Sequence, residues 1–523
     1  MLVHAGATLA VAAEGGPAAE IAGLLEAGRV RAAADRAHTW AEAEPGNLEA
    51  LRLCAVLGGR VGDYRVAEDA LRSLVFFTPH DPDVLVMLGE VLTDRGRYED
   101  AREQFQAAIR LDDSLVGAYV GLSRLATCEG AEVGETISAA QVAMSVGPQE
   151  PAAVTAMGEA LNACGRPREA LEHLHRALAL DAGHPPALFA LGLSHALLDE
   201  RDEALTHWRH YLQVEPETAQ AWLLRTNLLV TRSEPILERA WYACYSPDGA
   251  RIAYRSRGPG GWGIYVCLAD DPTQEQRIWA TQSSLYSLSW SPDGASLVTR
   301  VYEKIEVEEK GKKKTQWVYR IVVIPSDGKG ESRQLIENRW LGEPAWIPGS
   351  NHIGVRSYVP KQGYVMLDID PATGDSQPLA GLEAKVPYYS PCWSRDGSRW
   401  LAVRRSAMHP DGSYTYELLA GPADSLDKIS VIFETPDYLR NPVFSPDGSL
   451  VLFTVARGQG SSRYPVWAMP ADGSREPCLL YHEASSYTPP SLSPDSKYML
   501  SSREQTLVRL TLDGVRPRLE AGG

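Results

Sequence analysis

A helical solenoid followed by a six-bladed β-propeller is the architecture this sequence predicts, and two internal repeats predict it. In the C-terminal half one phrase recurs six times at spacings between 45 and 56 residues. In the N-terminal half a pattern of small residues recurs about every 34 residues. Periods of that size mark stacked arrays rather than a single core. With 523 residues, 44% hydrophobic and 23% charged, the chain has ordinary globular composition and room for both.

The clearest copy of the C-terminal phrase is Asn441 to Phe453, NPVFSPDGSLVLF. YACYSPDGARIAY, SLSWSPDGASLVT and SPCWSRDGSRWLAV repeat it, and EPAWIPGSNHIGV and SLSPDSKYML are eroded copies. Aligned on the residue before the turn, the copies give Tyr245, Trp290, Trp346, Trp393, Phe444 and Leu492, spaced 45, 56, 47, 51 and 48. In one copy an aromatic ends a short strand, Ser-Pro-Asp-Gly turns the chain, and an apolar run such as Leu450 to Phe453 returns. Pro446 presets φ at the first corner, Asp447 bonds the backbone ahead, and Gly448 supplies the positive φ. A second hairpin follows, as in Gly263 to Leu268 and then Gln276 to Trp279. Six copies of four strands predict six blades around a channel. These motifs resemble the WD40-like PD40 repeats of TolB-type six-bladed propellers, over roughly Glu234 to Leu519. The resemblance implies partner proteins at the channel mouth.

The helical repeat fits a frame starting at residues 14, 48, 82, 117, 151 and 185, with a last helix from 219. Alanine fills the twentieth place at Ala33, Ala67, Ala101, Ala170 and Ala204. Glycine fills the eighth at Gly89, Gly158 and Gly192, and alanine the twenty-seventh at Ala108, Ala143 and Ala177. Proline closes copies at Pro45, Pro79, Pro148 and Pro216. Small residues let two antiparallel helices approach, and proline cannot continue a helix. Copy four is degenerate from Cys128 to Thr136, and copy one has Ile21 where others have glycine. The pattern resembles tetratricopeptide repeats (TPR), here about six plus a capping helix, AQAWLLRTNLLV. The expected divisions are an N-terminal segment 1–13, a solenoid 14–233, a propeller 234–519 and a tail 520–523. Thr231 to Pro235 reads as a short linker without a flexible Gly/Ser tract.

A net charge of −16 opposes a nucleic-acid role, which needs a basic footprint. Seven scattered cysteines, never in CxxC spacing, read as reduced thiols rather than a disulfide framework or zinc site. No run approaches the apolar length of a membrane span. A cytoplasmic protein is expected, or a periplasmic one if this start site lacks a leader.

No enzymatic motif fits the sequence. An α/β-hydrolase needs Gly-x-Ser-x-Gly, and Gly192-Leu-Ser-His-Ala lacks the last glycine. P-loop, HExxH and Rossmann signatures do not occur. His352, His409 and His482 fall in three different blades, the arrangement a metal-dependent lyase in a propeller channel would need. His207 and His210 lie three apart on one helix. No cofactor is expected.

Binding is the stronger reading. The TPR resemblance implies a concave groove lined by the first helix of each pair, at Arg52, Val86, Glu90, Asp94, Glu159, Asn162, Phe189, Leu193 and Leu197. The Lys/Asn/Arg carboxylate clamp of chaperone-adaptor repeats is absent from the matching places. Such a groove, acidic in its middle and apolar at its end, suits an amphipathic or basic segment. In blade two, residues 301 to 320 form an overlong hairpin with Lys310, Lys312, Lys313 and Lys314 at its turn, a second surface for a protein partner. The sequence is therefore expected to encode a non-enzymatic scaffold, adaptor or regulatory subunit of a bacterial complex. The alternatives are a channel-site enzyme, a carbohydrate-binding propeller, and a substrate or inhibitor of a protease or kinase.

Overall fold

The computed structural model describes residues 16–515 apart from 310–311, 383–385, 407–413, 457–462, 483 and 485–488. The described residues fall into two compact units: a helical one ending at Thr231, which also includes Asp513 and Gly514, and an all-β one spanning Arg232–Leu512.

The helical unit holds thirteen described helices. They are α1 (Pro17–Glu26), α2 (Val30–Ala43), α3 (Leu48–Val61), α4 (Tyr64–Phe77), α5 (Pro82–Asp94), α6 (Tyr98–Leu111), α7 (Val116–Glu129), α8 (Val133–Val146), α9 (Pro151–Ala163), α10 (Pro167–Leu180), α11 (Pro185–Leu197), α12 (Arg201–Val214) and α13 (Ala219–Thr226). Local chemistry starts them. Asn47 and Asp81 accept backbone N–H bonds from the first turns of α3 and α5, and Pro82, Pro151 and Pro185 open α5, α9 and α11. The conserved spacing of small residues has a steric cause. A Cβ at Gly89 would lie 2.6 Å from Phe105, at Gly158 2.5 Å from Leu174, and at Gly192 2.3 Å from Trp208. Each glycine thus receives a bulky side chain of the paired helix.

Copy four is a complete helix pair despite its eroded sequence. Its eighth place holds Arg124, and the close approach lies at Gly121, whose Cβ would meet Phe105 of α6 in the preceding repeat. The capping helix is shorter than its apolar run suggests. It stops at Asn227, which takes the left-handed conformation at φ 56°.

The array curls until its ends meet. Arg60 in the last turn of α3 holds Glu215, just past α12, through two bonds of 2.8 Å. The backbone N–H of Arg31 donates to Glu217 at 2.6 Å.

The all-β unit is six four-stranded antiparallel sheets. Blade one holds β2 (Trp241–Tyr245), β3 (Arg251–Gly258), β4 (Gly261–Leu268) and β5 (Glu275–Thr281). Blade two holds β6 (Ser284–Trp290), β7 (Ser296–Glu309), β8 (Lys312–Pro325) and β9 (Arg333–Asn338). Blade three holds β10 (Ala345–Ile347), β11 (His352–Val359), β12 (Gly363–Ile369) and β13 (Ser376–Pro378). Blade four holds β14 (Tyr388–Trp393), β15 (Arg399–Arg405), β16 (Tyr416–Pro422) and β17 (Ser430–Thr435). Blade five holds β18 (Tyr438–Phe444), β19 (Leu450–Ala456), β20 (Val466–Pro470) and β21 (Cys478–Tyr481). Blade six joins β22 (Ser491–Leu492), β23 (Tyr498–Arg503) and β24 (Thr506–Asp513) to β1 (Leu229–Glu238), in the order β1-β24-β23-β22.

β1 corrects the linker reading. Thr231 to Pro235, expected to connect the two parts, lies inside this strand, and the 233/234 division falls within it. Pro235 is tolerated because β1 is an edge, bonded only to β24.

The repeated phrase closes the first hairpin of five blades by one device, blade three having Ile347-Pro348-Gly349 in its place. Ser445 Oγ donates to Asp447 at 2.6 Å and accepts from the Leu450 N–H at 2.9 Å. Ser246, Ser291, Ser394 and Ser493 repeat both bonds. Gly448 sits at φ 71° in that turn, where a Cβ would be strained. The preceding aromatics act between blades: Trp290 Nε1 donates to the Cys244 carbonyl at 3.1 Å, and Trp346 Nε1 to the Ser289 carbonyl at 3.2 Å. All seven cysteines are free thiols. Burial pushes Cys54 up to about 11 and Cys267 up to about 12, which suits packing rather than reactivity.

Candidate binding surfaces

In the helical unit the expected groove residues separate into two groups. Val86, Glu90 and Asn162 are buried, and Asn162 is bonded into place, donating to the Ala190 carbonyl at 3.1 Å and accepting from Ser194 Oγ at 2.9 Å. Phe189 packs edge-on against Tyr211 at 5.4 Å within the α11–α13 core. Arg52 reaches back to the capping Asp81. These four positions other than Glu90 do structural work.

Asp94, Glu90 and Glu159 share a different neighbour. Arg124 pairs with Asp94 and feels the fields of Glu159 and Glu90, which stabilise its charge. Burial raises the Asp94 and Glu159 carboxyls above the usual range, against the pull of Arg124. The wall is therefore one arginine among three acids. Arg124 was missed in the sequence, although its place in the frame belongs to glycine in three other copies.

In the propeller the innermost strands β22, β2, β6, β10, β14 and β18 follow one another, each beside the next. They enclose a cavity of about 720 Å³. Bulges interrupt β2, β6, β14 and β18, and put Tyr242, Ser287, Ser390 and Asn441 at positive φ. All four stand three residues before the turn's aromatic, and in blade three that place is Glu343. The cavity wall includes Tyr242, Ser287, Glu343, Ser390, Asn441 and Pro489, one from each blade.

Glu343 organises the charge here. Its Oε1 lies 3.5 Å from Arg300 and 3.8 Å from Arg440, which belongs to blade five. Burial opposes ionisation, but Arg300, Arg440 and Arg356 override it and pull the carboxyl down to about 2. Arg300 is also fixed to the next blade, donating to the Leu341 carbonyl at 2.8 Å, as Arg255 does to Leu285 at 2.6 Å. Arg255 sits among Trp262, Tyr286, Tyr242 and Trp241, at 3.9 to 5.5 Å from the ring centres.

Because the folded carboxyl titrates below its unfolded value, its contribution is complete above the unfolded pKa and is lost as pH falls toward 2. A drop from about 4.5 to about 2 corresponds to about 3 kcal/mol. Resistance to urea is expected to fall between pH 5 and pH 2, and Glu343→Gln to remove that part of the slope.

The metal candidates do not converge. His352 binds Asp368 at 2.9 Å within blade three, and neither it nor His482 lines the cavity; His409 lies outside the described residues. Among the described residues no group of three or more His, Cys, Asp or Glu side chains could hold a metal ion. His207 stacks on His195 at 5.3 Å. The long hairpin exists as β7 and β8, paired from Ser296–Pro325 to Glu309–Lys312. Lys310 lies outside the described residues, Lys312 is placed by its backbone alone, Lys313 is 3.5 Å from Glu306, and Lys314 is exposed beside it. Among the described residues no helix is long and apolar enough to cross a membrane.

Comparison with known proteins agrees with this architecture. Tetratricopeptide repeat profiles match residues 59–115, 151–194 and 185–210. The helical unit is a tetratricopeptide array. The chain is similar to TolB from Acinetobacter baumannii, at 14% identity over 63% of this chain and 72% of that one, with a TM-score of 0.34. It is also similar to an oligogalacturonate lyase from Vibrio parahaemolyticus, at 13% identity over 53% and 91%, TM-score 0.34. The helices are similar to a thermophilic TPR protein from Thermus thermophilus, at 22% identity over 31% and 89%, TM-score 0.28. No curated protein matches the sequence.

Proposed function

We propose that this protein is a non-enzymatic interaction scaffold, an adaptor or regulatory subunit of a bacterial complex that works in the cytoplasm. The observation that carries the reading is the charged wall of the TPR array. Arg124 pairs with Asp94 beside Glu90 and Glu159, and the Asp94 and Glu159 carboxyls are held there against a desolvation cost. A partner presenting a basic or amphipathic segment complements three acids around one arginine. The exposed Lys313 and Lys314 of the β7–β8 hairpin add a basic surface of opposite preference.

Affinity capture with the full chain as bait tests this. The expected result is a reproducible protein partner that is lost from the Asp94→Asn, Glu159→Gln double variant. Recovery of no partner, or equal recovery by wild type and this variant, would overturn the groove assignment. Catalytic turnover of a small substrate by the purified chain would move the function to the propeller channel.

A further inference from the structure

We propose that the propeller cavity is a carboxylate-binding site, and that the protein's partners present an acidic group to it. The inference rests on the scaffold reading above but on a different surface.

Four charged residues are found among the described residues of the cavity wall: Arg300, Arg395, Arg440 and Glu343. Arg356, whose field also acts on Glu343, stands behind them and stacks on Tyr389 at 4.3 Å. One carboxylate thus faces three arginines near the cavity's bulged strands, and a fourth stands among the turns. Glu343 neutralises one of them. The surplus is positive in a chain whose net charge is −16, so it is not a reflection of composition.

The groups are also incompletely satisfied. Arg300 Nε, a donor, is buried without a hydrogen-bond acceptor among the described residues, and the Glu343 ion pairs are long at 3.5 and 3.8 Å. A second carboxylate near Arg300 and Arg440 would supply the missing acceptor, since guanidinium forks match that geometry.

Arg395 is the sequence's own clue. It replaces proline in the Ser-Pro-Asp-Gly turn of blade four, and its guanidinium reaches the Pro247 carbonyl of blade one at 3.4 Å, across the mouth. The bond is weak and exposed, so an incoming anion can take the donor over at little cost. The remaining wall is aromatic and proline-rich, with Trp290, Trp346, Trp393 and Phe444, which suits an extended segment. A cavity of this volume lies within the range of small-ligand sites.

The carboxylate could be carried by a peptide or by a free acid, and calorimetric titration of the full-length protein separates the two. The probes are a capped hexaglutamate peptide, its hexaglutamine counterpart, and glutarate. Hexaglutamate is expected to bind at least tenfold more tightly than hexaglutamine, and to weaken as salt is added. Arg440→Gln should weaken it about tenfold and the exposed Arg395→Gln a few-fold, while Glu343→Gln, which removes the competing anion, should tighten it. Glutarate binding with the same arginine dependence would also support the site and assign it to free acids. Equal binding of both peptides, binding that neither arginine variant changes, or no binding of either acid would overturn the proposal. Arg395→Gln lies on a surface turn and should melt like the wild type, so its failure cannot be blamed on folding. A captured partner that ignores both arginines would sink this site while leaving the scaffold reading intact.

Discussion

Ala170→Glu is expected to unfold the middle of the tetratricopeptide array at a cost of about 4 kcal/mol or more. Ala170 is fully buried on α10 among Val154, Met157, Leu161, Leu174 and Leu191. The neighbouring contact is already tight, since Gly158 accommodates the Leu174 side chain with no room for a Cβ. A carboxylate placed there has no partner in that apolar cluster and must either stay protonated or force the helices apart. Thermal melting followed by far-UV circular dichroism checks it, with Glu169→Ala as the control. Glu169 is surface-exposed and pairs with Arg166 one turn away, so its loss should leave the melt close to that of the wild type. An unchanged melt for Ala170→Glu would defeat the repeat frame.

Phe453→Ala should cost about 3–5 kcal/mol in the propeller, the range for deleting a buried phenylalanine. Phe453 is fully buried in β19, 5.5 Å from Phe433, in a cluster that joins blades four and five through Leu401, Val403, Leu418 and Leu439. Strands fixed in a ladder cannot collapse into the vacated volume, so the cavity term adds to the transfer term. Urea titration followed by tryptophan fluorescence measures the loss. Phe453→Leu, which keeps most of the volume, should lose about 1.5 kcal/mol or less. A loss below about 1 kcal/mol for the alanine variant would mean the blade repacks freely.

Both repeats were legible because each depends on residues with a single physical job. Glycine receiving Phe105, Leu174 or Trp208, and serine closing an Asp-Gly turn, leave a strict spacing in the chain. The closing strand left no such mark. Leu229 to Glu238 is polar, carries Pro235 and matches no blade motif, because an edge strand bonded on one side needs neither alternation nor a turn signature. Arg124 was hidden for the converse reason: in an eroded copy it reads as damage to the glycine place rather than as a functional side chain. The channel ring was equally invisible. Its residues are tyrosine, serine, glutamate, serine, asparagine and proline, a column with no shared chemistry, united only by a fixed distance from the turn, with a bulge at four of the six.

The pairing of β1 with β24 sets a timetable for the nascent chain. Between Glu238 and Thr506 lie some 268 residues, all of which leave the ribosome after the first partner strand and before the second. At roughly 5–20 residues per second that interval is about 13–54 s. During it the helices can fold behind an unmatched strand edge, and five blades can assemble in order without a ring to hold them. A premature stop shortly before Thr506 would therefore release a chain with its helices and first five blades but an open, adhesive seam.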